Sequence, residues 1–130
     1  MAQMTQAQMT VDKGFFTSRE EVMTDIAKTG FWPTTYVSGA SPELPLHHHG
    51  YDIVGYVIEG ATYLLDQDGQ RVDICAGDRL NIPQGAKHAE GECTDKVVYI
   101  VTVSEPIPFL EALMPLDPQG PIPAFGPAFG

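Results

Sequence analysis

Positive charge is scarce in this chain: seven lysines and arginines face seventeen acids in 130 residues, for a net charge of −10. The bases (Lys13, Arg19, Lys28, Arg71, Arg79, Lys87, Lys96) are scattered, with no cluster to override the global sign. Such a surface repels phosphate backbones and anionic lipid, which argues against nucleic-acid and membrane-surface roles. Long apolar runs are missing as well; none approaches the ~18 residues of a membrane span. Only two cysteines occur, Cys75 and Cys93, and they lack CxxC spacing. The sequence leaves open whether they approach each other. The opening residues MAQMTQAQMT are polar, without the basic-then-apolar order of a secretion signal. A cytoplasmic protein with free thiols is therefore expected. There is no GxxxxGKS phosphate loop, and Ser18, Ser38, Ser41 and Ser104 sit in no nucleophile-elbow context.

What is abundant points to strands. Apolar residues make up 43% of the chain, and thirteen glycines and eleven prolines fall mostly between short apolar runs. The length suits one domain able to bury its own core. Residues 1–14 lack periodicity and read as a flexible arm or an added edge strand. Thr17 and Ser18 each precede an acid by three residues, Glu20 and Glu21, which is a capping-box pattern. Val22, Met23 and Ile26 follow at helical spacing and Gly30 stands at a C′ position, so a short helix is predicted over 18–28. From Phe31 the period changes to short runs rich in β-branched and aromatic residues: FWPTTYV, ELPLHHH, DIVGYVI, ATYLLD, QRVDIC, DRLNIP, KHAEGE and KVVYIVTV. Asp66-Gln67-Asp68-Gly69 marks a hairpin turn. Eight short strands without intervening helices predict an antiparallel sandwich or jelly-roll barrel over 31–105. Residues 106–130 read as a helical turn in PFLEALM, then a Pro/Gly-rich tail that packs Phe125 and Phe129 across the barrel or a partner.

Three of the four histidines are consecutive. On an extended strand His47 and His49 share a face and His48 points away. Two imidazoles so placed can chelate one metal, and His88, about forty residues on after Pro83-Gln84-Gly85, offers a third. Three neutral nitrogens suit one divalent transition metal (Fe, Mn, Zn, Ni or Cu) better than calcium or magnesium. A lone histidine is more often a satisfied core or surface residue; it is the pairing of the two segments that favours a ligand set.

The stretch PLHHHGYDIVGYVIEG (45–60) resembles the first motif of the cupins, a His-x-His pair leading into an apolar strand that ends on a glycine turn. GDRLNIPQGAKHAEGE (77–92) resembles the second: Gly77, five residues, Pro83, one, Gly85, two, His88. The resemblance covers about half of the chain. It implies an all-β, cupin-type double-stranded β-helix (a jelly-roll barrel) with a short N-terminal helix, a metal in its mouth and frequent dimerisation. One position departs. Cupins usually carry a glutamate four or five residues after the second histidine, where this chain has Ile53 and Val54. Tyr51, Asp52 and Glu90 are candidates to fill that gap or to move protons; the bland alternatives are a core tyrosine, a turn cap and a solvated edge residue. Without the carboxylate, three neutral histidines leave a dication its full charge and a stronger Lewis acidity.

These readings predict a metal-dependent cupin enzyme acting on a small anionic or enolisable molecule, as a dioxygenase or as a lyase or isomerase. Tyr56, Val57, Tyr63, Leu80, Ile82 and Tyr99 are expected to line the pocket. The expected partners are a small-molecule substrate and a second copy of the chain. Two alternatives compete: a non-catalytic metal-containing module that binds or senses a small ligand, and a metal-free barrel with residual histidines.

Overall fold

The structure, a computed structural model, describes residues 7–105 and 118–119. The expected helical turn in PFLEALM and the Phe125 and Phe129 contacts fall outside the described residues. Among the described residues nine elements follow in order: β1 (Thr10–Asp12), α1 (Arg19–Thr29), β2 (Trp32–Ser38), β3 (Ile53–Glu59), β4 (Ala61–Leu65), β5 (Arg71–Cys75), β6 (Arg79–Ile82), β7 (Ala89–Glu90) and β8 (Val97–Val103). They form two antiparallel sheets. One has five strands in the order β1-β6-β3-β8-β2 and the other three in the order β5-β4-β7. This is the jelly-roll arrangement predicted for the all-β chain, and the arm does add an edge strand, with Val11 opposite Leu80.

Helix α1 begins where its caps dictate. Ser18 Oγ accepts from the Glu21 N–H, Glu21 Oε1 accepts from Thr17 Oγ1 at 2.7 Å, and Gly30 closes the helix at φ 72°. Val22 and Ile26 are buried and pack with Phe16 against Tyr56. Burial of each aliphatic side chain contributes about 1.5–3 kcal/mol before the entropy of ordering it.

Strand β3 is covered on both faces. Val54, Tyr56 and Ile58 face the helix, whereas Ile53 and Val57 join the core between the sheets with Leu64, Ile74, Leu80 and Val97. Tyr56 donates to Asp25 Oδ2 at 2.5 Å, and Arg79 reaches the same oxygen at 2.8 Å and Asp12 at 2.9 Å, tying helix, arm and sheet together. The buried Asp78 accepts from Lys13 Nζ and from the N–H groups of Gly14 and Cys75. Asp66 caps the β4–β5 hairpin by accepting from Asp68 and Gln70, with Gly69 at φ 77°. Cys75 is exposed and Cys93 buried, both free.

Two expected strands are curtailed. ELPLHHH forms no ladder, because Pro45 within it and Pro42 just before it have no N–H to contribute; isolated bridges pair Ser41 with Cys93 and His47 with His88. KHAEGE is reduced to the two residues of β7 beside that second bridge.

Candidate metal centre

The His47–His88 bridge builds the site. Each residue donates its N–H to the other's carbonyl at 2.9 Å, the close hydrogen-bonded antiparallel pair that sets two side chains on one face. His49 is fixed at the same place by the motif turn: Ala86 N–H bonds back to Pro83 O, and Gly85 N–H donates to His49 O at 3.1 Å. Gly85 stands at φ 79°, where a side chain would be strained, so the turn between Pro83 and His88 favours glycine there. The three rings form a near-regular triangle, with centroids 4.7, 5.0 and 5.1 Å apart. His48 is exposed, as the alternation predicts.

Glu90, two residues past His88 on extended backbone, brings its carboxylate to the same point. Its Oε2 lies 3.1 Å from His47 Nε2 and its Oε1 3.7 Å from His88 Nε2. One donor atom from each of His47, His49, His88 and Glu90 lies within 4.8 Å of the others. Two ligands at ~2.1 Å from one ion stand at most about 4.2 Å apart, so an ion requires only a small contraction. His47 Nδ1 and His88 Nδ1 are already engaged by the carbonyls of Pro45 (2.8 Å) and Ala86 (2.9 Å), which orients each ring and leaves Nε2 inward. Meanwhile His49 Nδ1, His88 Nε2 and Glu90 Oε2 are buried without a hydrogen-bond partner. Each such orphan costs ~1–3 kcal/mol, and three at one spot mark a place built for a shared partner. The residues fit a transition-metal dication.

Electrostatics suit His49 and Glu90 to donor roles and set a proton against the metal at His88. Burial, together with His88 and His47, holds His49 below the ordinary imidazole range, so it is a neutral donor. Burial would depress His88 too, but Glu90 and the Ala86 carbonyl outweigh it and leave its pKa raised. Burial pushes Glu90 up, and His88 and His47 more than reverse this, so it stays ionised. The carboxylate absent from positions 53 and 54 is thus supplied from the second motif, and the expected stronger Lewis acidity of a carboxylate-free site does not follow.

Of the other two candidates, Asp52 is not in the cluster. The Asp52 carboxylate accepts from Gln84 N–H at 2.8 Å and its backbone exchanges bonds with Ser104, so it braces the motif turn. Tyr51 is half-buried and does not line the adjoining cavity. That cavity, about 590 Å³, is walled by Tyr36, Ile53, Leu64, Leu80, Ile82, Tyr99 and Val101, with His47, His49 and Glu90 on its surface. Leu80, Ile82 and Tyr99 line it as expected. Tyr56 faces the helix, Val57 lies in the core, and Tyr63 stacks under Arg71 at a separate cleft, so these three do not line it. The loop wall formed by Ser38–Ser41 and Leu44 had no sequence signal beyond its turn residues.

The Cupin domain model matches residues 34–104, more than half of the chain. The chain belongs to the cupin family. No curated protein matches this cupin. Among solved structures it is similar to a DUF861 family protein (tm1112) from Thermotoga maritima, at 16% identity and TM-score 0.54, covering 73% of this chain and 98% of that one. It also resembles a putative mannose-6-phosphate isomerase from Ralstonia eutropha JMP134, at 16% identity and TM-score 0.50, covering 55% and 70%. A third is the polyketide cyclase RemF from Streptomyces resistomycificus, at 24% identity and TM-score 0.49, covering 58% and 55%. At such identities the first two likenesses show the fold of this cupin and nothing of its reaction.

Proposed function

We propose that this cupin is a metal-dependent enzyme acting on a small anionic or enolisable molecule, by oxygen-dependent cleavage or by a lyase or isomerase step. The observation that carries this reading is the set of orphaned buried donors, with His49 and Glu90 on the wall of a largely apolar cavity and His88 buried beside them. A divalent ion bound there would supply Lewis acidity and acidify a bound hydroxyl or enol. His47, His49 and His88 would hold it, and Glu90 would complete the donor set or accept a proton from a substrate in the cavity. Leu64, Leu80, Ile82 and Val101 exclude water around the reacting atoms, which strengthens every charge interaction inside.

Elemental analysis of purified protein should find close to one divalent transition-metal ion per chain. Absence of metal, with melting indifferent to chelator, would sink the proposal in favour of a metal-free barrel. Anaerobic turnover with zinc or manganese separates a lyase or isomerase from a dioxygenase. Ligand capture without product under every condition would favour the binding or sensing module.

The second partner we propose is another copy of the chain, docked along β2. This strand is the outer edge of the five-stranded sheet and exposes Trp32, Tyr36 and Val37, each about half-exposed. Among the described residues no strand pairs with the outer side of β2; Pro33 lacks an N–H there, but the rest of the strand can pair, and β2 carries no charge in a chain of net charge −10. Sedimentation should show a dimer that Trp32→Lys dissociates; a monomer at micromolar concentration would refute it.

A further inference from the structure

Charge is distributed unevenly around the cavity. Among the described residues that line it, Glu90 is the only Asp, Glu, Lys or Arg. All seven lysines and arginines are committed or exposed elsewhere. Arg79 is held on the helix side by Asp12 and Asp25, Arg71 by Asp73 and the Tyr63 ring, and Lys13 by Asp78. Lys28, Lys87 and Lys96 are exposed, as is Arg19 at the start of α1. A dication held by three neutral imidazoles and one carboxylate has a net charge of +1. It is neutralised by a single anionic head, and a second negative charge would meet no cation on a wall of Leu64, Leu80, Ile82 and Val101 broken by the hydroxyls of Ser38, Ser41 and Thr62. The stacked pair Tyr36 and Tyr99, with ring centroids 6.0 Å apart, lines the same cavity and offers a flat apolar surface.

We infer that the substrate carries one anionic, metal-binding head on an uncharged and mainly apolar body, and that phosphate esters and dicarboxylates are excluded. This deepens the proposed function and rests on its metal site. It reaches further by dividing the enolisable acids: those with an aromatic or aliphatic body fit, and those with a second charge do not.

The test uses full-length protein loaded with Mn(II), its stoichiometry measured first, and calorimetric titration with three probes that share an enolisable or enol acid head. Phenylpyruvate has one charge and an apolar ring, oxaloacetate a second carboxylate, and phosphoenolpyruvate a phosphate ester. Phenylpyruvate is expected to bind at least about tenfold more tightly than either of the others. Ser41→Lys, which puts a cation on the cavity wall at a small polar residue, should reduce that advantage by about threefold or more while metal stoichiometry stays at one. Equal or tighter binding of the dianions, no binding of any probe, or an unchanged ratio in the Ser41→Lys protein would overturn the inference and leave the metal reading standing. A protein that takes up no Mn(II) and no other divalent ion would instead overturn the metal reading, and the inference with it.

Discussion

Each imidazole reaches the cluster under a different constraint, so replacing one is not equivalent to replacing another. His88 is fully buried and oriented by Ala86, whereas His49 is held by its backbone while its Nδ1 has no partner. His88→Ala should lower metal affinity by at least about 100-fold, beyond the range seen when only an outer-shell partner is lost. His48→Ala should leave metal content unchanged, since that side chain is exposed; elemental analysis of the two variants checks both. The proton on His88 gives a second readout. Its pKa is raised in the metal-free protein, and a protonated imidazole cannot ligate, so metal and proton compete. Affinity should be level above that raised value and fall about tenfold per pH unit below it, as metal titrations between pH 8 and pH 5 would show. Glu90→Gln removes the carboxylate that raises His88 and also one donor, so it should weaken binding while moving the break in the pH profile downward. A profile that stays in place would mean that Glu90 does not control the His88 proton.

At the level of elements, the passage from one sheet to the other and the helix–sheet contact each depend on an identifiable residue. Gly60 joins β3 to β4 at φ 93°, and a Cβ there would collide with the Lys96 carbonyl. Gly60→Ala should therefore cost about 2–3 kcal/mol in urea unfolding, from strain and displacement together. Tyr56→Phe removes one donor from Asp25 but leaves Arg79, so about 1–2 kcal/mol is expected. Burial pushes Asp25 and Asp78 up, yet the donors around them bring both net below the ordinary carboxylate range. Their stabilisation is present above the unfolded value near pH 4 and is lost as pH falls through it toward the depressed folded values. The elements themselves were largely legible. Ser18, Glu21 and Gly30 bracket the helix to within a residue, and glycine, proline and Asp-Gly signals separate the long strands. Facing within β3 was not legible, because IVGYVI is apolar throughout and has no alternation to show which side meets the cavity. In 41–49 the prolines prevented a ladder, and the parity of His47 and His49 survived only because one bridge holds the segment extended. Glu90 was legible by that same parity, while nothing local distinguished Asp52 the brace from Asp52 the ligand.

For the molecule as a whole, the donors of the cluster come from parts of very unequal support. His88 lies beside β7 and Glu90 within it, a strand two residues long, whereas His47 and His49 belong to the segment between β2 and β3 that has no ladder. That segment is attached through backbone bonds from Ser41, Leu44 and His47 and by the Gly85 bond to His49. A metal shared by four side chains would act as a clip across this weakly tied wall. Because it binds the folded chain and finds no assembled site in the unfolded one, metal at a hundred times its Kd should stabilise by about 2.7 kcal/mol. For a domain of this size that corresponds to a rise in Tm of roughly 5–15 °C, reversed by chelator. The gain should also be local: hydrogen exchange should slow most around 44–49 and 85–91, and least in α1, whose packing on Tyr56 lies on the opposite face of β3. A uniform slowing across the chain would indicate that the ion stabilises the fold globally and that the wall carrying His47 and His49 was already rigid without it.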